Sequence, residues 1–186
     1  MAGEPFSIFS EILFKTIKNH KTKKPLVVIG SYDLIRVQMS ILKYKIPLNV
    51  ITKNFKNKNL KMNAINLLDI KLNFKKSFQK ISKISNSYIE KSFQLALKLM
   101  KKNVFTGLIN GPISKKHFLK SRSLGITEYL ANKTGVQNFA MLIFNKSLSV
   151  SPITTHVPVK NINRLITKNK IEKHVKIIKN FYKKNF

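Results

Sequence analysis

Apolar residues recur at helical and strand spacings in alternation along this chain. In 7–20, Ile8, Phe9, Ile12, Leu13 and Ile17 fall on one helical face. The run 25–30, Pro-Leu-Val-Val-Ile-Gly, is short, apolar and closed by glycine, as a buried parallel strand would be. Residues 32–44 return to helical spacing through Leu34, Ile35, Met39, Ile41 and Leu42, and 48–51 predict a second strand. The polar, Lys- and Asn-rich stretch 52–61 reads as a loop, and 64–70 as a strand despite Asn66 and Asp69. A long helix is predicted over 85–102 from Tyr88, Ile89, Phe93, Leu95, Ala96, Leu99 and Met100. Beyond it the pattern predicts a central strand over 104–110, a break at Gly111-Pro112 and a helix over 113–120. A short helix over 127–133 is closed by Gly135. Two strands, 139–144 and 148–154, flank an Asn145-Lys146 turn, and lysine-rich helices over 159–167 and 171–184 finish the chain.

This alternation predicts an α/β fold with a largely parallel sheet and helices on both faces. No linker-like stretch rich in Pro, Gly and Ser interrupts it, so 1–186 reads as a single α/β region. The first five residues look like a strand-to-helix turn without its strand, and the last helix is one that another strand would ordinarily follow.

Composition narrows the function classes. Of the residues, 43% are hydrophobic, enough for a real core. No apolar run reaches the roughly 20 residues of a bilayer span, and Met1-Ala2-Gly3-Glu4-Pro5 lacks the form of a secretory signal. Cysteine is absent, so disulfides, thiolate metal sites and a cysteine nucleophile are excluded, and a cytoplasmic setting is expected. The net charge of +29 invites a nucleic-acid reading. Against it, Arg36, Arg122 and Arg164 are the only arginines, and the lysines are spread along the chain among Asn, Ile and Phe. A nucleotide bias toward A/T-rich codons accounts for that composition, and no specific nucleic-acid partner is expected.

Ligands of open α/β sheets gather at the carboxyl ends of strands. Four such ends carry suggestive chemistry: Gly3-Glu4-Pro5, Asn110-Gly111-Pro112, Gly125-Ile126-Thr127-Glu128 and Thr154-Thr155-His156. Each has a plainer reading. Gly-Pro makes a turn, Thr127 can cap a helix, and a single histidine at a strand end can be structural. His20, His117 and His174 sit in lysine-rich helical surroundings and read as surface residues.

Order and context add to this. Gly3-Glu4-Pro5, Ile109-Asn110-Gly111-Pro112-Ile113-Ser114-Lys115, Thr127-Glu128-Tyr129-Leu130-Ala131 through Thr134-Gly135, and Thr154-Thr155-His156-Val157-Pro158 together resemble the 4-hydroxythreonine-4-phosphate dehydrogenase family of pyridoxine phosphate biosynthesis. The resemblance runs from residue 3 to the end and corresponds to roughly the N-terminal half of a family member. It implies an isocitrate/isopropylmalate-dehydrogenase-like fold, truncated here, and a two-lobed dimer with active sites at the subunit interface. The implied reaction is NAD-dependent oxidation and decarboxylation of a phosphorylated hydroxy-amino acid, assisted by a divalent metal (Zn, Co or Mg) on three histidines.

By that resemblance His156 is the first metal ligand and Thr127 a substrate contact, while Lys115 matches a family lysine with no assigned role. The family's usual histidine before the threonine is replaced by Ile126, which can neither donate a hydrogen bond nor carry charge. The Gly-rich turn after Glu-Pro is altered to Phe6-Ser7-Ile8-Phe9-Ser10. The other two metal histidines and most of the NAD surface would belong to the other half. The chain alone is therefore expected to be inactive, with no catalytic residue assigned, and to work as a homodimer or with a partner carrying the missing half. The alternatives are a non-catalytic remnant or subunit that binds phosphorylated metabolites or a partner chain, and a basic nucleic-acid-binding protein.

Overall fold

The structure, a computed structural model, describes residues 3–19, 24–119 and 125–186. The readings of His20 and Arg122, and the helix end expected at Lys120, lie outside these residues. The chain divides into two compact units, 1–118 and 119–186.

The first unit begins with helix α1 (Phe9–Asn19), strand β1 (Val27–Gly30), helix α2 (Tyr32–Ile41) and strand β2 (Leu48–Ile51). Strand β3 (Ile65–Asp69), helix α3 (Lys83–Met100) and the single turn α4 (Lys115–Phe118) complete it. All three strands are parallel in the order β1-β3-β2. The connection through α2 skips one position, and β3 fills it, so Leu67 lies between Val28 and Val50. Side chains alternate across the pleat. Val28, Ile65 and Leu67 pack with Leu13 and Phe14 of α1 and Ile35 and Met39 of α2. Ile29, Ile51 and Leu68, one register step away, are buried as well, and α3 packs against β1.

Two polar residues of β3 explain themselves. Asp69 Oδ1 accepts from the Tyr32 amide at 2.9 Å, and Ser31 Oγ accepts from Leu34 N, so both serve the otherwise unpaired first turn of α2. Asn66, fully buried, stitches the entry ends of all three strands together through its side-chain amide.

The second unit holds α5 (Ile126–Thr134), the single turn α6 (Ile162–Leu165) and α7 (Lys168–Asn185). Gly135 ends α5 at φ 71°, the left-handed conformation expected of it. Thr167 caps α7 by accepting from Lys170 N.

Several expectations are corrected. The strand expected over 104–110 is absent, because no neighbouring strand among the described residues pairs with it; Ile109 is 79% exposed. The two strands expected over 139–144 and 148–154 shrink to one antiparallel bridge, Ile143 with Val150. The helix over 113–120 is only α4, and that over 159–167 is a 3-10 turn followed by α6. His174 is not a simple surface residue: its Nε2 lies 2.7 Å from Ser151 Oγ, while Tyr182 Oη donates to Ser149 Oγ, so α7 is tied to the 141–151 segment. No helix among the described residues is long and apolar enough to cross a membrane.

Candidate functional site

In the first unit, two of the four suggestive turns meet. Gly3 adopts φ 65°, and a Cβ there would lie 2.5 Å from the Pro112 carbonyl oxygen and 2.7 Å from Gly111 backbone atoms. The Glu4 amide donates to that Pro112 oxygen at 2.7 Å, while Gln38 of α2 donates to the Pro5 and Ser77 carbonyls. This close backbone approach buries the Glu4 side chain, and neither carboxylate oxygen has a hydrogen-bond partner among the described residues. Burial holds the Glu4 carboxyl above its ordinary range. The nearby Ser85 hydroxyl, His117 and the Phe6 amide oppose the shift without supplying a hydrogen bond of good geometry.

A raised carboxyl pKa means that the folded chain binds the Glu4 proton more tightly than the unfolded chain does. The associated stability is fully present below the ordinary value near 4.5 and is lost as pH rises through the raised value. Glu4→Gln, which stays neutral, should therefore be more stable than the parent at pH 8 by about 1–3 kcal/mol. The gain should vanish toward pH 4. Urea melts of both proteins at the two pH values check this, and an equal difference at both would contradict it. Sequence reasoning did not single out Glu4 as a buried group. The available signal was its rarity, as one of seven acidic residues against 36 basic ones.

In the second unit, the segments carrying Thr127 and His156 come together. The N-cap of α5 is Gly125, so Thr127 stands at the second helical position and is not the cap. It is half-buried, and no hydrogen bond among the described residues engages its hydroxyl. Thr155 Oγ1 donates to Glu128 Oε1 at 3.0 Å, across 27 residues of sequence. His156 sits in an exposed bend at φ 55°, not at the end of a strand, because the strand expected before it does not form. A Cβ placed on Gly125 would lie 2.6 Å from Glu128 Oε2 and 3.4 Å from His156 Nε2. The bare Cα of Gly125 thus leaves open the point on which an imidazole nitrogen and a carboxylate oxygen converge.

Ile126 occupies the first helical position, half-buried, and brings no polar atom to this surface. Lys115 opens α4 in the first unit and is exposed, as is His117, whose Nδ1 lies 2.8 Å from Ser114 Oγ. Glu128, Thr155 and Gly125 were not assigned roles from the sequence. The readable hint was an acidic residue in the first turn of a helix, where the macrodipole favours a carboxylate.

A three-ligand metal site does not fit these residues alone. Among the described residues no group of three His, Cys, Asp or Glu side chains is arranged to hold a metal ion. A catalytic zinc-type site ordinarily takes three protein ligands, and here His156 and Glu128 offer at most two.

The family profile described as pyridoxal phosphate biosynthetic protein PdxA matches residues 21–186. A 4-hydroxythreonine-4-phosphate dehydrogenase of Sulfurihydrogenibium sp. (strain YO3AOP1) is 33% identical over 194 residues, covering 99% of this chain and 57% of that protein. One of Aquifex aeolicus (strain VF5) is 25% identical over 186 residues, with the same coverages. The solved structure of a Klebsiella pneumoniae 4-hydroxythreonine-4-phosphate dehydrogenase superposes with a TM-score of 0.80 at 21% identity, covering 98% of this chain and 58% of that one. A Salmonella typhimurium structure described with the same activity gives 0.81 at 20% identity and covers 98% and 59%. At those identities the structures establish the shared dehydrogenase-type α/β fold. The chain spans a little under three-fifths of the length of these relatives. Matched over nearly its whole length by one family profile, the chain belongs to the pyridoxal phosphate biosynthetic protein PdxA family.

Proposed function

We propose that this chain contributes the Thr127 and His156 side of a 4-hydroxythreonine-4-phosphate dehydrogenase site in pyridoxal phosphate biosynthesis. The reaction of the assembled enzyme is the NAD-dependent, metal-assisted oxidation and decarboxylation of 4-phosphohydroxythreonine, in a cytoplasmic assembly that also brings the metal donors not found among the described residues. The observation that supports this reading best is the hydrogen bond from Thr155 to Glu128, which brings the His156 loop onto the helix start that carries Thr127. The Thr127 hydroxyl donates to a phosphate or carboxylate oxygen of the substrate. His156 offers one nitrogen donor, and the remaining donors come from outside the described residues.

Thr127→Val should weaken binding of 4-phosphohydroxythreonine by about ten- to a hundred-fold, the usual effect of losing one hydrogen bond to a charged group. Calorimetric titration of the assembled enzyme checks this, and unchanged affinity would remove Thr127 from the site. The 186-residue chain by itself should form no NADH from that substrate when supplied with NAD and Zn2+ or Co2+. Turnover by the purified chain, abolished in His156→Ala, would show that the present residues suffice.

A second reading is favoured by Ile126 and by the incomplete donor set: a non-catalytic subunit that binds phosphorylated metabolites or a partner chain. Native mass measurement separates the two. A native complex in which a partner bears further histidines supports the dehydrogenase, and a native complex of this chain without such a partner supports the non-catalytic subunit.

A further inference from the structure

We infer that Glu128 is a positioning residue for His156, acting through Thr155 and across the bare Cα of Gly125. This inference rests on the reading of His156 as a donor in the proposed site. His156 is exposed, so burial does not hold its loop in place. Its backbone nevertheless occupies the left-handed region, which residues with a Cβ seldom adopt unless their neighbours over-determine it.

The neighbour on its N-terminal side is Thr155, whose hydroxyl donates to Glu128 Oε1 at 3.0 Å. Glu128 is in turn held in the first turn of α5, a nine-residue helix, where the positive end of the helix favours a carboxylate. Its second oxygen, Oε2, is directed over Gly125 toward the point that His156 Nε2 also approaches. The two carboxylate oxygens therefore do different work. Oε1 fixes the backbone one residue before His156, and Oε2 lines the open point faced by the ring nitrogen. A Cβ at 125 would meet Glu128 Oε2 at 2.6 Å and reach only ordinary contact with His156 Nε2 at 3.4 Å, so a larger residue there would push the Glu128 carboxylate aside.

The test compares Glu128→Ala, Thr155→Val and Glu128→Gln in the full chain by NMR. Glu128→Gln keeps an acceptor oxygen for Thr155, whereas the other two remove one side of the bond. The readouts are the Cα and Cβ shifts and 15N relaxation of residues 154–157, with residues 130–134 of α5 as the folding control. Glu128→Ala and Thr155→Val should each abolish the left-handed signature of His156 while leaving α5 unchanged, and Glu128→Gln should retain it. An unchanged signature in both disruptive variants, or equal losses across α5, would overturn the positioning role. A Co2+ titration tests the underlying reading separately: in the parent it should shift the His156 ring resonances. If it does not, the donor role of His156 falls while the positioning result stands on its own.

Discussion

Asn66→Asp should cost about 3–5 kcal/mol of stability at pH 7, the scale of leaving a buried charge uncompensated. The exchange barely alters size or shape, so neither cavity nor overpacking contributes. What changes is hydrogen bonding. Asn66 Oδ1 accepts from Asn49 Nδ2 and from the Lys61 amide, both at 2.8 Å. Its Nδ2 donates to the Leu26 carbonyl at 3.0 Å and to the Lys61 carbonyl at 2.9 Å. Aspartate keeps the acceptor side and turns the donor side into an oxygen facing two carbonyl oxygens, in a fully buried position. An ionised carboxylate there keeps its two donors but sets its other oxygen against both carbonyls, while a protonated one can serve only one of them. The loss should therefore be smaller at pH 4 than at pH 7. Urea melts followed by circular dichroism at both pH values measure it, and a loss below about 1 kcal/mol at pH 7 would mean that the carbonyls find other partners. Since whole domains are stable by only about 5–15 kcal/mol, this single atom change approaches the limit of what the fold withstands.

The same residue shows where sequence reading succeeds and where it runs short. The strands 27–30, 48–51 and 65–69 were legible because each is a short apolar run bounded by turn residues. Asn66 and Asp69 counted against β3 in sequence, since a polar residue in an apolar run ordinarily opposes burial. In the structure both are reasons for it, one clamping three strands and the other serving the start of α2. Partners 17 and 40 residues away leave no local trace. The errors at 104–110 and 139–154 have the converse cause. An apolar run records a tendency to be buried, but a strand needs a neighbour to take up its backbone groups, and periodicity does not reveal whether one exists. Leu148, at 71% exposure, is apolar without being core.

The candidate site divides in the same way. Thr127 and His156 could be named because their local strings resemble a family. That Thr155 reaches Glu128, that Gly125 leaves space between them, and that His156 takes a left-handed backbone are tertiary facts. Only the glycine was visible beforehand, and its extended φ shows that it is not there for backbone freedom.

Gly3→Ala should cost about 2–4 kcal/mol, from two sources that add. An alanine at φ 65° carries roughly 1–2 kcal/mol of left-handed strain. Its Cβ also meets Pro112 O at 2.5 Å and Gly111 C and O at 2.7 Å. These are backbone atoms, which cannot rotate aside as a side chain can, so the two turns must separate. Separation stretches the 2.7 Å bond from Glu4 N to Pro112 O and lets water reach the Glu4 carboxylate. That second consequence makes the prediction specific. Once Glu4 is solvated, the penalty of ionising it in a buried place disappears, so Gly3→Ala should cost less at pH 8 than at pH 4. For the same reason its effect should not add to that of Glu4→Gln. At pH 8 the gain from Glu4→Gln, seen in the parent background, should largely vanish in the Gly3→Ala background, as expected for residues acting on one buried junction. Urea melts of the four proteins at pH 8 complete the cycle, and full additivity would mean that the junction stays closed around the new methyl group.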